Sequence, residues 1–165
     1  MRNADKEQLF IFIERLEQLK AKGAVQIVPY GEAMIHSYYW EGLARLSNIQ
    51  DIEAVGAQSN FSFSVKEMIT YYKEKGGQIE KLRLWGTFHP EMPSVERFVE
   101  QCEELLRLKV LYSVGVVGDP SRLHEIQQLR ERLDSSIYLW INKMDGLGRN
   151  YTSNEIQQFQ NARDR

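Results

Sequence analysis

The chain has 165 residues, 42% hydrophobic and 27% charged, with a formal net charge of −2. That length fits one domain, and so even a charge balance sets up no field for nucleic acid or an anionic membrane. Cys102, the single cysteine, excludes an internal disulfide and any metal or cluster site built from cysteines alone. There is no signal peptide and no apolar run of membrane length, so a cytoplasmic protein is expected.

Taken in order, the chain alternates helix and strand. Leu9, Phe12, Ile13, Leu16 and Leu19 share one helical face, and Gly23 stops that helix. An apolar strand, Val25 to Val28, follows and runs into Pro29-Tyr30-Gly31-Glu32. A helix from about His36 to Ser47 turns Tyr39, Leu43 and Leu46 inward. A second strand over 52–57 ends in Gln58-Ser59-Asn60. Ser64 caps the next helix, and Gly76-Gly77 turns the chain. A third strand, Lys81 to Trp85, runs into Gly86-Thr87-Phe88-His89-Pro90-Glu91. Ser94 then caps a strongly periodic helix through Val95, Phe98, Val99, Cys102, Leu105 and Leu106. The fourth strand, Val110 to Val117, ends at Gly118-Asp119. Asp119 as cap and Pro120 in the first turn open the following helix. The fifth strand covers 136–142. A tail from about residue 146 ends in a short helix from Ser153 that is expected to fray.

Near-continuous apolar strands are covered on both faces, which favours a parallel sheet. The fold class is therefore α/β, with five parallel strands alternating with helices in one domain over 1–165. Right-handed crossovers gather the strand-to-helix loops at one end, and candidate functional residues fall there. Gly31 permits close backbone approach, and Glu32 offers a carboxylate to an ammonium group. It also suits the amino end of the next helix. Gln58 and Asn60 fit neutral polar ligand groups or simple turn chemistry. Thr87 can bond a ribose hydroxyl. His89, its direction held by Pro90, can carry a proton or bind a metal. Gly115 and Gly118 permit close approach of a planar group. Trp140 and Asn142 share a strand face, which is either core or the wall of a central cavity. Cys102 lies on an apolar helical stripe and reads as an inert core thiol.

Five segments, in order, carry a family resemblance: 29–33 (PYGEA), 55–60 (VGAQSN), 84–90 (LWGTFHP), 112–118 (YSVGVVG) and 137–142 (IYLWIN). Together they resemble a bacterial subfamily of radical S-adenosylmethionine proteins. The resemblance implies a partial TIM-type (β/α) barrel of six β/α units. It implies S-adenosylmethionine across the carboxyl ends of the strands and a 4Fe-4S cluster that cleaves it to a 5′-deoxyadenosyl radical. Gly31 and Glu32 match the motif that receives the methionine amino group. Thr87 or His89 matches the ribose region, with Asn60 in the neighbouring polar segment. Gly115 to Gly118 and Tyr138 to Trp140 match the adenine region.

The cluster-binding Cys-x-x-x-Cys-x-x-Cys segment, which follows strand one in that family, has no counterpart here, and one cysteine cannot replace it. The chain is therefore expected to be an amino-terminally truncated member lacking strand one. As such it is inactive alone and holds no bound cofactor. The substrate is a small molecule or peptide that the sequence does not identify. Truncation is expected to expose the edge of the strand carrying Ile27 and to favour a homodimer through it. The alternatives are a non-catalytic α/β binding or scaffold module, and a metal-dependent barrel hydrolase using Glu32, His89 and Glu91.

Overall fold

The computed structural model describes residues 2–89 and 94–164. Helix α1 covers Arg2–Gln18, strand β1 Gly23–Ile27, helix α2 Ser37–Ser47 and strand β2 Ile52–Ser59. Helix α3 follows at Val65–Glu74, strand β3 at Leu82–Phe88, helix α4 at Val95–Arg107 and strand β4 at Leu111–Gly118. Helix α5 spans Leu123–Arg132, strand β5 Leu139–Lys143 and helix α6 Ser153–Arg163. The sheet has five strands in the order β1-β2-β3-β4-β5, and every neighbouring pair is parallel.

Sequential order has a geometric consequence. Every crossover steps the same way and, being right-handed, lays its helix on the same side of the sheet. A doubly wound sheet would reverse direction at a switch point. This sheet instead curls into a half-barrel, helices outside, with a concave inner face that no helix covers. Strand β3 shows the division. Leu82, Leu84 and Phe88 are buried towards the helices, whereas the alternate Trp85 is 38% exposed. No described helix is long and apolar enough to cross a membrane.

The core lies between sheet and helices. Phe61 is at its centre, stacked on Phe98 at 5.5 Å and edge-on to Phe63 and Tyr112. Trp40, fully buried, packs against Phe63 and Tyr72. Its indole donates to the Met34 carbonyl at 2.7 Å, which fastens the loop after β1 to α2. Cys102 is buried as expected, and burial pushes its thiol pKa up, which makes it inert.

Tyr112 packs beside that thiol with its hydroxyl buried and, among the described residues, with no partner other than the sulfur. Burial raises its pKa as well. A sulfur is a weak acceptor, so the hydroxyl remains an unsatisfied polar group. Tyr112→Phe is therefore expected to leave stability unchanged or to raise it by about 0.5–1.5 kcal/mol, read from urea midpoints at constant m. A clear loss would show that the hydroxyl has a partner.

Several boundaries differ from the sequence expectation. Strands β2 and β3 run further, through Ser59 and Phe88, so Gln58, Gly86 and Thr87 belong to the ladder rather than to loops. Asp119 caps a short 3₁₀ turn, Pro120–Arg122, before α5 begins. Hydrogen bonds from Ser121 hold its carboxyl below the usual range. Strand β5 starts at Leu139 because the residues before it form a separate turn. There Asp134 accepts from the Ser136 amide and hydroxyl, and the Ile137 carbonyl accepts from the buried Arg130.

The short helix expected from Ser153 is present, and it is capped. Thr152 and Glu155 form a reciprocal capping box, and Arg149 reaches Glu155 at 2.6 Å. Ala162 is buried and Phe159 packs on the core. The hydrogen bond from Arg149, reinforced by the Thr152 amide, lowers the Glu155 pKa to about 2. A depressed carboxylate stabilises fully above its unfolded pKa, and that contribution is lost as pH falls through the folded value. Wild type and Glu155→Gln should thus differ in thermal stability above about pH 4.5 and converge as pH approaches about 2. An unchanged difference below that would refute the assignment.

Candidate functional site

The carboxyl ends of β1, β2 and β3 enclose a cavity of about 640 Å³. It is lined by Val28, Pro29, Gly31, Glu32, Gln58, Ser59, Asn60, Thr87 and His89. Its position follows from the parallel ladder, which brings these strand ends together, as in barrels generally.

Glu32 organises the cavity. Its carboxylate accepts from the Met34 amide at 3.0 Å and so caps the 3₁₀ turn Ala33–Ile35. It also spans to the end of β2, accepting from the Ser59 hydroxyl at 3.0 Å and the Asn60 amide at 2.6 Å. Glu32 thus caps a turn, and it lines the cavity as well. Among the described residues no cationic side chain pairs with it. Three protein donors leave part of the carboxylate's acceptor capacity free for a ligand donor.

The β2 end is held in turn by its own loop. Ser59 Oγ accepts from the Phe61 amide at 3.0 Å, and Asn60 Oδ1 accepts from the Ser62 amide at 2.9 Å. Phe61 has φ +55°, a left-handed conformation that is strained for a bulky residue. Its ring, 1% exposed in the aromatic core, keeps it there. Gly86 makes the room: a Cβ at that position would lie 2.3 Å from the Phe61 ring. A side chain at Gly86 would thus disturb the cavity from below. Gly31, at φ +79°, turns the β1 loop in a conformation that disfavours other residues.

Thr87 accepts from the Gln58 amide at 3.1 Å, and its hydroxyl proton remains available to a ligand. His89 is exposed at the rim. Pro90 and Glu91 lie outside the described residues. Among those described, no group of His, Cys, Asp and Glu is placed to hold a metal ion.

The remaining candidates lie elsewhere. Gly115 pairs with Thr87 across the ladder but does not line the cavity. The place of its Cβ is taken by the Trp85 indole, whose Nε1 is 2.6 Å from that point. Gly118 borders a separate cavity of about 270 Å³ with Asn142, Lys143, Tyr151, Phe159 and Arg163, and its carbonyl accepts from the Tyr151 hydroxyl. Trp140 is 47% exposed and donates to Asn142, its neighbour on the same strand face. Gly31, Glu32, Asn60, Thr87 and His89 therefore share one cavity, and Gly115, Gly118 and Trp140 do not enter it.

Ser59 is the residue that the sequence reading passed over, since it named only the amides on either side, Gln58 and Asn60. Ser59 closes β2 and donates its hydroxyl to Glu32. A polar triplet at a strand's carboxyl end was the available signal. No protein-family model, curated protein or solved structure matches this chain.

Proposed function

We propose that the cavity at the carboxyl ends of β1 to β3 binds S-adenosylmethionine, and that the chain is the cofactor-cradling part of a radical S-adenosylmethionine protein on a TIM-type partial barrel. One observation carries the proposal. A braced carboxylate with no paired cation among the described residues, Glu32, shares a cavity of about 640 Å³ with Gly31, Asn60, Thr87 and His89. That size suits a nucleoside-bearing ligand. In this reading Glu32 receives the methionine ammonium, which is the strongest polar contact available there. The Thr87 hydroxyl and His89 serve the ribose.

The chain's residues do not fit a 4Fe-4S cluster. Cluster ligation takes several thiolates, and the single cysteine is buried in α4. We assign no cleavage step to this chain. A second reading, a non-catalytic binding module, uses the same cavity and is favoured by that lone buried thiol.

Calorimetric titration tests the binding. S-adenosylmethionine is expected to bind with a dissociation constant of about 0.1–1 mM, and Glu32→Ala to weaken it about tenfold or more. S-adenosylmethionine should also bind more tightly than adenosine, which lacks the ammonium. No heat at about 10 mM ligand, or equal affinity for adenosine, would end the proposal.

A further inference from the structure

The sheet is bordered by β1 and β5. Among the described residues β1 pairs only with β2, and β5 only with β4. Each border therefore presents unpaired backbone donors and acceptors, a template for another strand. Apolar side chains gather at the same places. Val28 is 67% exposed beyond the end of β1. Tyr138 precedes β5, Trp140 lies within it, and Leu111 opens β4, all about half exposed. The Tyr138 and Trp140 rings lie 6.0 Å apart, and paired exposed aromatics mark an interaction surface.

The borders also carry opposite charges, end for end. Lys20 and Lys22 stand at the amino end of β1, where Asp51 lies 4.0 Å from Lys22 and Lys20 supplies the charge unmatched among the described residues, with Glu32 beyond the carboxyl end. Asp134 precedes β5 and Lys143 closes it. Laying β1 parallel to β5 of a second copy sets lysines opposite an aspartate at one end and Glu32 opposite Lys143 at the other. Antiparallel pairing of like borders also matches charges, but it leaves the other border of each copy open. Only the parallel arrangement uses both borders at once.

We propose that two copies of this chain join about a two-fold axis, β1 of each extending the parallel ladder of the other's β5. The two half-barrels then close into one barrel. The concave faces become its interior, and Trp85, Leu111 and Trp140 are withdrawn from water. The arrangement also brings Lys143 of the partner subunit to the rim of the cavity that Glu32 lines. This inference stands apart from the ligand reading above and competes with it at Glu32, which the partner's Lys143 and a ligand ammonium would both approach.

Sedimentation of the full chain tests it. A species of twice 19.3 kDa is expected at about 10–100 µM, and Trp140→Glu should raise the dimer dissociation constant about a hundredfold while the helical spectrum stays intact. Cysteines then distinguish the arrangements, since the buried Cys102 does not compete. Under mild oxidation the Val28→Cys, Lys143→Cys double variant should form linked dimers, and neither single variant should. A monomer throughout that range would overturn the proposal, and so would linked dimers of either single variant.

Discussion

Replacing Arg130 by methionine is expected to destabilise the protein by about 3–5 kcal/mol and to lower its melting temperature by about 10 °C. Arg130 is 5% exposed, near the end of α5. Its guanidinium donates to the carbonyls of Ile137 at 2.7 Å, Leu133 at 3.0 Å and Asp134 at 2.6 Å. These close the last turn of α5 and the turn that feeds β5. Carbonyls at a helix's carboxyl end carry partial negative charge, so a buried cation is well placed among them. Methionine fills the volume but takes the donor from the Ile137 and Leu133 carbonyls and leaves Asp134 only the Ile137 amide, and each unsatisfied buried group is costly. Lysine keeps the charge but not the planar fork, so Arg130→Lys should recover only part of the loss. Differential scanning calorimetry reads all three proteins. A methionine variant within about 1 kcal/mol of wild type would show that water replaces the clamp at no cost.

Glu32→Ala is expected to cost about 2–4 kcal/mol, although Glu32 is only partly buried. The carboxylate joins the β1 loop to the β2 end through three donors, and charge-assisted hydrogen bonds are the stronger kind. Its removal leaves the Ser59 hydroxyl and the Asn60 amide facing the cavity without their acceptor. Hydrogen exchange should accelerate at the Met34 and Asn60 amides before it does in β3. A double-mutant cycle with Ser59→Ala should show coupling of about 1–2 kcal/mol. Additive losses would mean that Glu32 and Ser59 act independently. Glu32→Gln retains an acceptor and should fall between the two. Because the variant changes the ligand site as well as the fold, its affinity is meaningful only at temperatures where the loop remains protected from exchange.

Strand and helix existence was legible because the apolar periods are clean. The stripe Val95, Phe98, Val99, Cys102 and Leu105 is buried in α4 as its spacing predicts. Strand ends were harder. Thr87 follows a glycine, and glycine punctuates sequences, so β3 reads as ending at Trp85. In the fold Gly86 stays in the ladder because the Phe61 ring occupies the space a side chain would need. That contact joins positions far apart in the chain, and no local pattern carries it. Trp40 illustrates the same limit. Helical spacing points to Tyr39, but the indole next to it is the buried anchor, since its N–H reaches the Met34 carbonyl.

The gathering of Glu32, Asn60, Thr87 and His89 was legible from topology alone, because parallel strands bring their carboxyl ends together. The separation of Gly115 was not. Nothing in the sequence shows that Trp85 folds across it. The cap of the last helix was passed over for a related reason. Thr152 and Glu155 have capping-box spacing, yet the flanking glycines, Gly146 and Gly148, suggest a loose end.

Cys102, interior to α4 and alone of its kind, turns the molecule into its own opening gauge. An alkylating reagent can reach the sulfur only when α4 lifts from the sheet, so the rate of labelling counts those excursions. Native-state labelling across denaturant would then distinguish local detachment of one helix from cooperative loss of the whole half-barrel, with no probe added to the chain.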